Sequence, residues 1–304
     1  MNGQTRCVKS NLGLVCITAS EAIRFKTVTR KRLFSFDEAG QRELLTALYV
    51  ENIARLRLAI EFCSTNKIRL YRMTSALFPF SDEPFGAAIL AENYGTALAS
   101  IGQTALDQGI RLLLHPDQYV VLNSDSEAVI ENSIKVLQMH ANTMDLLGQP
   151  RSEWAAMIIH GGKSERADKM VETIRGLPAA IRLRLVLEND EHAYSSQEIL
   201  EICQRAGVPM VFDAHHHIYH EQLDDYNHPS VAEYFWAARA TWAVPENQIV
   251  HISNGRERFL DRAHSDLIFT MPDVFRFASW IEVEAKSKEL AIEKLQKEWA
   301  IDAS

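Results

Sequence analysis

At 304 residues, the chain is long enough for one (β/α)8 barrel or two smaller domains, and 47% hydrophobic with 24% charged residues suits a globular protein with a sizeable core. A formal net charge of −8 gives no overall footprint of nucleic-acid binding, although acidic residues gathered around bound cations would leave the rest of the surface less negative than the total. No apolar run is long enough for a membrane span, and the opening MNGQTRCVKSNLGLVC lacks the continuous apolar stretch of a secretory leader, so a cytoplasmic, non-secreted protein is expected.

In chain order, short apolar runs alternate with longer helical segments. A run at 12–17 precedes a helix expected over 36–66, where Ser35 is placed to cap and acidic residues fill the first turn. The next runs, at 68–73 and 110–115, flank a helix at 88–108. Helices at 126–147, 164–180 and 195–206 then separate runs at 155–160, 183–188 and 209–213. A helix at 230–242 leads to runs at 249–252 and 281–284, and 288–299 closes the series. Gly109, Gly148 and Gly207 stand where helices should stop. Segments 221–225 and 254–266 read as loops. The eight runs are rich in Val, Ile and Leu without clean alternation, as suits strands buried on both faces. Eight such strands interleaved with helices favour a closed α/β barrel, (β/α)8, over an open sheet, with right-handed connections. No linker, low-complexity stretch or fixed-period repeat interrupts the chain, so one domain over 1–304 is expected. Cys7, Cys16, Cys63 and Cys203 form no CxxC pair and read as free thiols of a reducing compartment.

The eleven histidines all fall at or after His115. Strand after strand ends on a ligand-type residue: His115 in RLLLHPDQY, His160 in AAMIIHGG, Glu188 in RLVLEND, Asp213 in MVFDAHHH, His251 in IVHIS and Glu284 in WIEVEAK. In a barrel, these ends converge on one mouth. A single strand-end His is ordinarily a hydrogen-bonded core residue. Six such ends together point instead to a metal centre. Mixed imidazole and carboxylate ligands suit Zn2+, Mn2+ or Fe2+, and their number exceeds the needs of one ion, so two or three are expected. Clustered ions fit phosphate-ester hydrolysis, where they lower the pKa of water and neutralise phosphate charge. The HHH run leaves a choice open, since strand alternation from Asp213 would select His215 and a different spacing would select His216.

Weaker signals surround this set. Gly161–Gly162 and Lys163 before a helix could hold a phosphate at its N-terminus, although Gly after a strand is commonly just a turn. Gln118 and Tyr119 could stack on or hydrogen-bond a base. Arg256, Arg258 and Arg262 could meet backbone phosphate, or merely form a solvated loop. There is no P-loop, GxGxxG or GxSxG motif.

The series YRMTSALFPF, LLLHPDQYVVLNS, IIHGGKSERADK, LVLENDE, FDAHHH, RAHSD and IEVEAKSKE resembles the UV damage endonuclease (UvdE/UvsE) family over nearly the whole chain, from about Leu12 to Glu289. The resemblance implies an endonuclease IV-like barrel. It implies cleavage immediately 5′ to UV photoproducts and some other lesions in double-stranded DNA, leaving a 3′-hydroxyl and a 5′-phosphate. It implies a cluster of divalent ions, typically Mn2+, with Mg2+, Zn2+ or Co2+ as other candidates. The metal ligands it implies are His115, His160, Glu188, Asp213, His216, His251, His264 and Glu284, which selects His216 from the HHH run. Glu188, His251, Glu284 and Lys286 are the implied catalytic groups. Gln118 and Tyr119 are the implied lesion probe, and Arg256 and Lys288 would contact DNA. A monomer without an obligate protein partner or membrane is expected. This chain departs from some members at three positions. Ile249 stands where they carry a Lys, Leu14 where they carry a Tyr at the damage face, and Ala76 where they carry a His. The alternative class is a metal-dependent sugar isomerase or epimerase of the xylose-isomerase-like barrels, which also place His, Glu and Asp at strand ends.

Overall fold

The computed structural model describes residues 9–117 and 119–299. Its elements run β1 (Asn11–Val15), α1 (Arg30–Leu33), α2 (Glu38–Thr65), β2 (Leu70–Met73), α3 (Pro84–Asp107), β3 (Arg111–Leu114), α4 (Glu127–Leu146) and β4 (Met157–His160). They continue α5 (Ala167–Gly176), α6 (Ala179–Arg182), β5 (Leu185–Glu188), α7 (Ser196–Ala206), β6 (Met210–Asp213), α8 (Ala214–His220) and α9 (Pro229–Arg239). The last are β7 (Ile249–Ile252), β8 (Trp280–Val283) and α10 (Glu289–Glu298). All eight strands are parallel and pair in chain order, and β8 returns to β1 to close the barrel. The expected (β/α)8 architecture is therefore present, with each strand inside or overlapping its apolar run.

Alternation along the strands sorts the core into two shells. One face of each strand (Leu112 and Leu114, Met157 and Ile159, Leu185 and Leu187, Met210 and Phe212) packs against the helices. The other face fills the barrel with Leu70, Leu113, Ile158, Val186, Val211 and Ile249. Each fully buried Leu, Ile or Val contributes roughly 1.5–3 kcal/mol, so these two shells carry the fold. At the N-terminal end, the fully buried guanidinium of Arg111 lies among the rings of Trp154, Trp242 and Trp280, at 4.9, 5.7 and 5.3 Å from their centroids. It donates to the carbonyls of Glu153, Trp154 and Asn247. The apolar layers end upward at Arg72, His251 and Glu282, where the polar site begins.

Several expected boundaries move for identifiable reasons. Asp37, not Ser35, caps α2: its side chain accepts from the Gly40 amide at 2.9 Å, while the Ser35 hydroxyl donates back to the Arg32 carbonyl. Helix α3 starts at Pro84, before the expected 88, because proline is tolerated in a first turn. The single helix expected over 164–180 begins only at Ala167. It breaks at Leu177, which is extended ahead of Pro178. Gly109, Gly148 and Gly207 adopt positive φ, as helix stops should. Helix α8 follows β6 with no loop and had no counterpart in the apolar pattern.

Candidate metal centre

The upper ends of the barrel strands and the loops after them surround a mouth of about 840 Å3. Three groups of ligand-type atoms lie within 4.8 Å of one another: His115 with His160 and Glu188, Glu188 with Asp213 and His216, and Asp213 with His251 and Glu284; of these, His115, His160, His216 and Glu284 line the mouth. Glu188 belongs to the first two and Asp213 to the last two, so the groups form one chain across the mouth. The Glu188 carboxylate lies 3.2 Å from His115 Nε2, 4.0 Å from His160 Nε2, 3.5 Å from His216 Nδ1 and 2.9 Å from His251 Nδ1.

Local structure explains these placements. Asp213 ends β6 and is also the N-cap of α8, accepting from the His216 amide at 2.7 Å. That cap turns His216 back over the cluster, where its Nδ1 meets the Asn189 carbonyl at 2.9 Å. His215 points elsewhere and bonds the Tyr226 hydroxyl and the Asp261 carbonyl. The geometry thus favours His216 over His215, because the chain leaves β6 as a helix and strand alternation no longer applies.

Electrostatics describe a site arranged for cations. Burial alone would raise the Glu188 carboxyl, yet His251 and His160 hold it well below the usual range. Burial also opposes ionisation of Glu284, but Arg72 and His251 outweigh it and lower that group. His216 is pulled down by burial but pushed up to about 9 by Asp213, Glu188, Glu191 and Glu284. His160 is lowered, chiefly by burial. The residues fit divalent ions on two counts. The buried Asp213 Oδ2, on a carboxylate that stands in two of the groups, has no hydrogen-bond partner, which buried polar atoms rarely tolerate. The donor set mixes imidazole with carboxylate, as Mn2+ or Zn2+ sites do.

Other expected residues fall at varied distances from these groups. His264 lines the mouth, with Nδ1 3.9 Å from Glu284, but joins none of the three groups. Tyr119 stands at the rim and is 77% exposed. Gln118 lies outside the described residues. Lys286, expected at the chemistry, is 63% exposed and sits 3.7 Å from Asp266, and it does not line the mouth. Arg256 braces the His264 loop, donating to the His264 carbonyl at 3.1 Å, rather than facing the mouth. Lys288 is half-buried; burial and Arg72 lower its ammonium pKa, and Glu284 lies in its field. Gly161–Gly162 is a turn pressed against Tyr194 and Asn123, and α5 starts only at Ala167, so no helix N-terminus opens there. Of the three departures, Ile249 packs inside the barrel and Ala76 is exposed on the loop after β2. Leu14 lies in the shell between strands and helices and does not line the mouth.

Sequence reasoning missed Arg72, Glu282 and Glu191. Arg72 Nη1 lies 2.6 Å from Glu284 and its Nε 3.5 Å from Glu282. Glu282 stands two residues before Glu284 on the same strand face, and period-2 spacing in WIEVE would have found it. Glu191 pairs with Arg262 at 2.9 Å and lies 3.7 Å from His216. At the rim, Lys163 and Arg166 both pair with Asp125.

Comparison with known proteins agrees with this geometry. The family model described as "UV-endonuclease UvdE" matches residues 10–303. A protein from Nostoc sp. named "UV DNA damage endonuclease" is 53% identical over 290 residues, covering 95% of this chain and 90% of the relative. The crystal structure titled SacUVDE has a TM-score of 0.75 at 25% identity, covering 95% of this chain and 98% of that one. Endonuclease IV from Thermus thermophilus has a TM-score of 0.52 at 16% identity, covering 80% and 92%, and so shares the fold. With a family match across nearly its whole length, the chain belongs to the UV-endonuclease UvdE family.

Proposed function

We propose that the protein is a metal-dependent endonuclease that cuts the phosphodiester bond immediately 5′ to UV photoproducts, leaving a 3′-hydroxyl and a 5′-phosphate. One observation carries the reading: three ligand groups are linked through the buried Glu188 and Asp213, and their outer members His115, His160, His216 and Glu284 line one mouth. Family membership supports the same activity. Divalent ions, with Mn2+ as the first candidate, would be held by His115, His160, Glu188, Asp213, His216, His251 and Glu284, and supply water activation and neutralisation of phosphate charge. His264, with Nδ1 3.9 Å from Glu284, would complete the set.

The chain's own groups have separable tasks. Glu188 and Asp213 fix the spacing between neighbouring groups by belonging to two each. Arg72 holds Glu284 in place from below. Lys163 and Arg262 line the mouth, each paired with a carboxylate that it would exchange for a phosphate when DNA arrives. Tyr119 presents an aromatic face to a base, where stacking is worth about 1–3 kcal/mol. A lesion lowers the cost of displacing the bases it has already unstacked. The protein acts as a monomer on duplex DNA.

The test is nicking of UV-irradiated and unirradiated supercoiled plasmid with Mn2+, with and without EDTA. Relaxation of the irradiated plasmid alone, abolished by EDTA, is expected. Equal relaxation of both plasmids removes the lesion-specific reading, and nicking that survives EDTA removes the metal-dependent one.

A further inference from the structure

The three ligand groups leave one buried carboxylate without a task. Glu282 lies wholly inside the barrel, one layer beneath the mouth, because it shares the inward face of β8 with Glu284. Desolvating a carboxylate there is costly unless it is paired. Among the described residues it pairs with two groups by charge: one oxygen meets Nε2 of His251, and the other lies 3.5 Å from Nε of Arg72, while neither approach has hydrogen-bond alignment. His251 is also fully buried, and its Nδ1 lies 2.9 Å from Glu188 and 3.6 Å from Glu284. One nitrogen of this ring therefore faces the ligand cluster. The other faces a carboxylate that belongs to none of the ligand groups among the described residues. Arg72 spans Glu282 and Glu284, and so fixes the two carboxylates relative to each other.

An imidazole can present a lone pair on either nitrogen, and the partner of the second nitrogen decides which. We propose that Glu282 is a positioning residue for His251: by accepting the Nε2–H, it holds the ring in the tautomer and orientation that turn the Nδ1 lone pair toward a divalent cation shared with Asp213 and Glu284. This inference rests on the metal-centre reading above. A carboxylate that merely balances Arg72 would affect folding but leave the ring's coordination unchanged.

The experiment follows Co2+ binding by visible d–d absorption in the full chain, comparing wild type, Glu282→Gln and Glu282→Asp. Metal-free thermal unfolding is measured alongside. The Co2+ equivalent held by His251 is identified as the one lost in His251→Ala. A Gln amide carries no charge and puts an NH2 group where one of the two carboxylate oxygens faces His251 or Arg72. Glu282→Gln is expected to weaken that equivalent by about 10–100-fold and change its band envelope, with a small shift in metal-free unfolding. Glu282→Asp, which keeps the charge one methylene short, should recover part of the affinity. An unchanged isotherm and spectrum in Glu282→Gln overturns the positioning role while leaving the metal centre standing. Wild type that takes up no Co2+ removes the metal centre itself, and the positioning role with it. Should Glu282→Gln not fold, the 15N shifts of His251 in Zn2+-loaded wild type decide: a protonated Nε2 with a ligated Nδ1 is expected, and the reverse overturns the role.

Discussion

Asp213→Asn separates two jobs held by one side chain. Asp213 Oδ1 caps α8 through the His216 amide, and the buried Oδ2 has no hydrogen-bond partner, yet the carboxylate stands in two of the three ligand groups. Asn keeps a capping oxygen, so metal-free stability should move by no more than about 1 kcal/mol. The amide replaces an anionic donor in both groups, which should weaken ion binding strongly. At a free Mn2+ concentration about 100 times the wild-type Kd, an ion stabilises the fold by about 2.7 kcal/mol, and a roughly 100-fold weaker site in the same buffer retains only about 0.4 kcal/mol. The assay is thermal or urea unfolding of both proteins, with EDTA and then with Mn2+. Wild type should gain roughly 2–3 kcal/mol from Mn2+ and Asp213→Asn almost none. Asp213→Ala should in addition lose about 1 kcal/mol without metal, because the cap goes too. An Asn variant that gains as much from Mn2+ as wild type would refute the shared-ligand role of Asp213.

Tyr119→Ala should reduce the preference for UV-damaged over intact duplex about 5–150-fold, the equivalent of one stacked base, and leave the Mn2+ isotherm unchanged; unaltered preference removes the probe role. Lys286→Ala should change nicking less than about threefold, since exposed pairs such as Lys286–Asp266 are worth little; near-complete loss would place Lys286 back at the chemistry. Arg111→Met leaves three carbonyls without their donor at the barrel floor and should cost at least about 2 kcal/mol in urea unfolding, with metal binding intact in the folded fraction. Burial lowers the His140 imidazole to about 4, below its ordinary 6.5, so the unfolded chain takes up the proton first. Its contribution is therefore complete above about pH 6.5 and is lost as pH falls through about 4, up to about 3 kcal/mol. His140→Met should flatten stability over that window, and an unchanged acid limb would show that His140 is not its source.

What was legible in the sequence followed from periodicity and from the end of each run. The barrel could be read because strands buried on both faces give continuous apolar stretches, and the candidate ligands because His115, His160, Glu188, Asp213, His251 and Glu284 fall at or beside the ends of theirs. His216 was chosen by resemblance and not by pattern, since FDAHHH gives no sign that helix α8 begins there. Glu282 and Arg72 stayed hidden because they sit within their strands, where a charged residue reads as a salt-bridged core position. Lys286 and Arg256 stand off the mouth for the opposite reason: proximity in sequence to Glu284 and His264 says nothing about where a long, flexible side chain points. Asp266 and the His264 carbonyl hold them away from the mouth.

The most direct test places one cyclobutane dimer in an end-labelled duplex oligonucleotide, adds Mn2+, and maps the product ends for wild type and Glu188→Gln. A single nick immediately 5′ to the dimer, with a 3′-hydroxyl and a 5′-phosphate, is predicted for wild type, and none for Glu188→Gln. Cleavage elsewhere, cleavage of the undamaged duplex at a similar rate, or full activity in Glu188→Gln would contradict a lesion-directed nuclease built on that metal cluster.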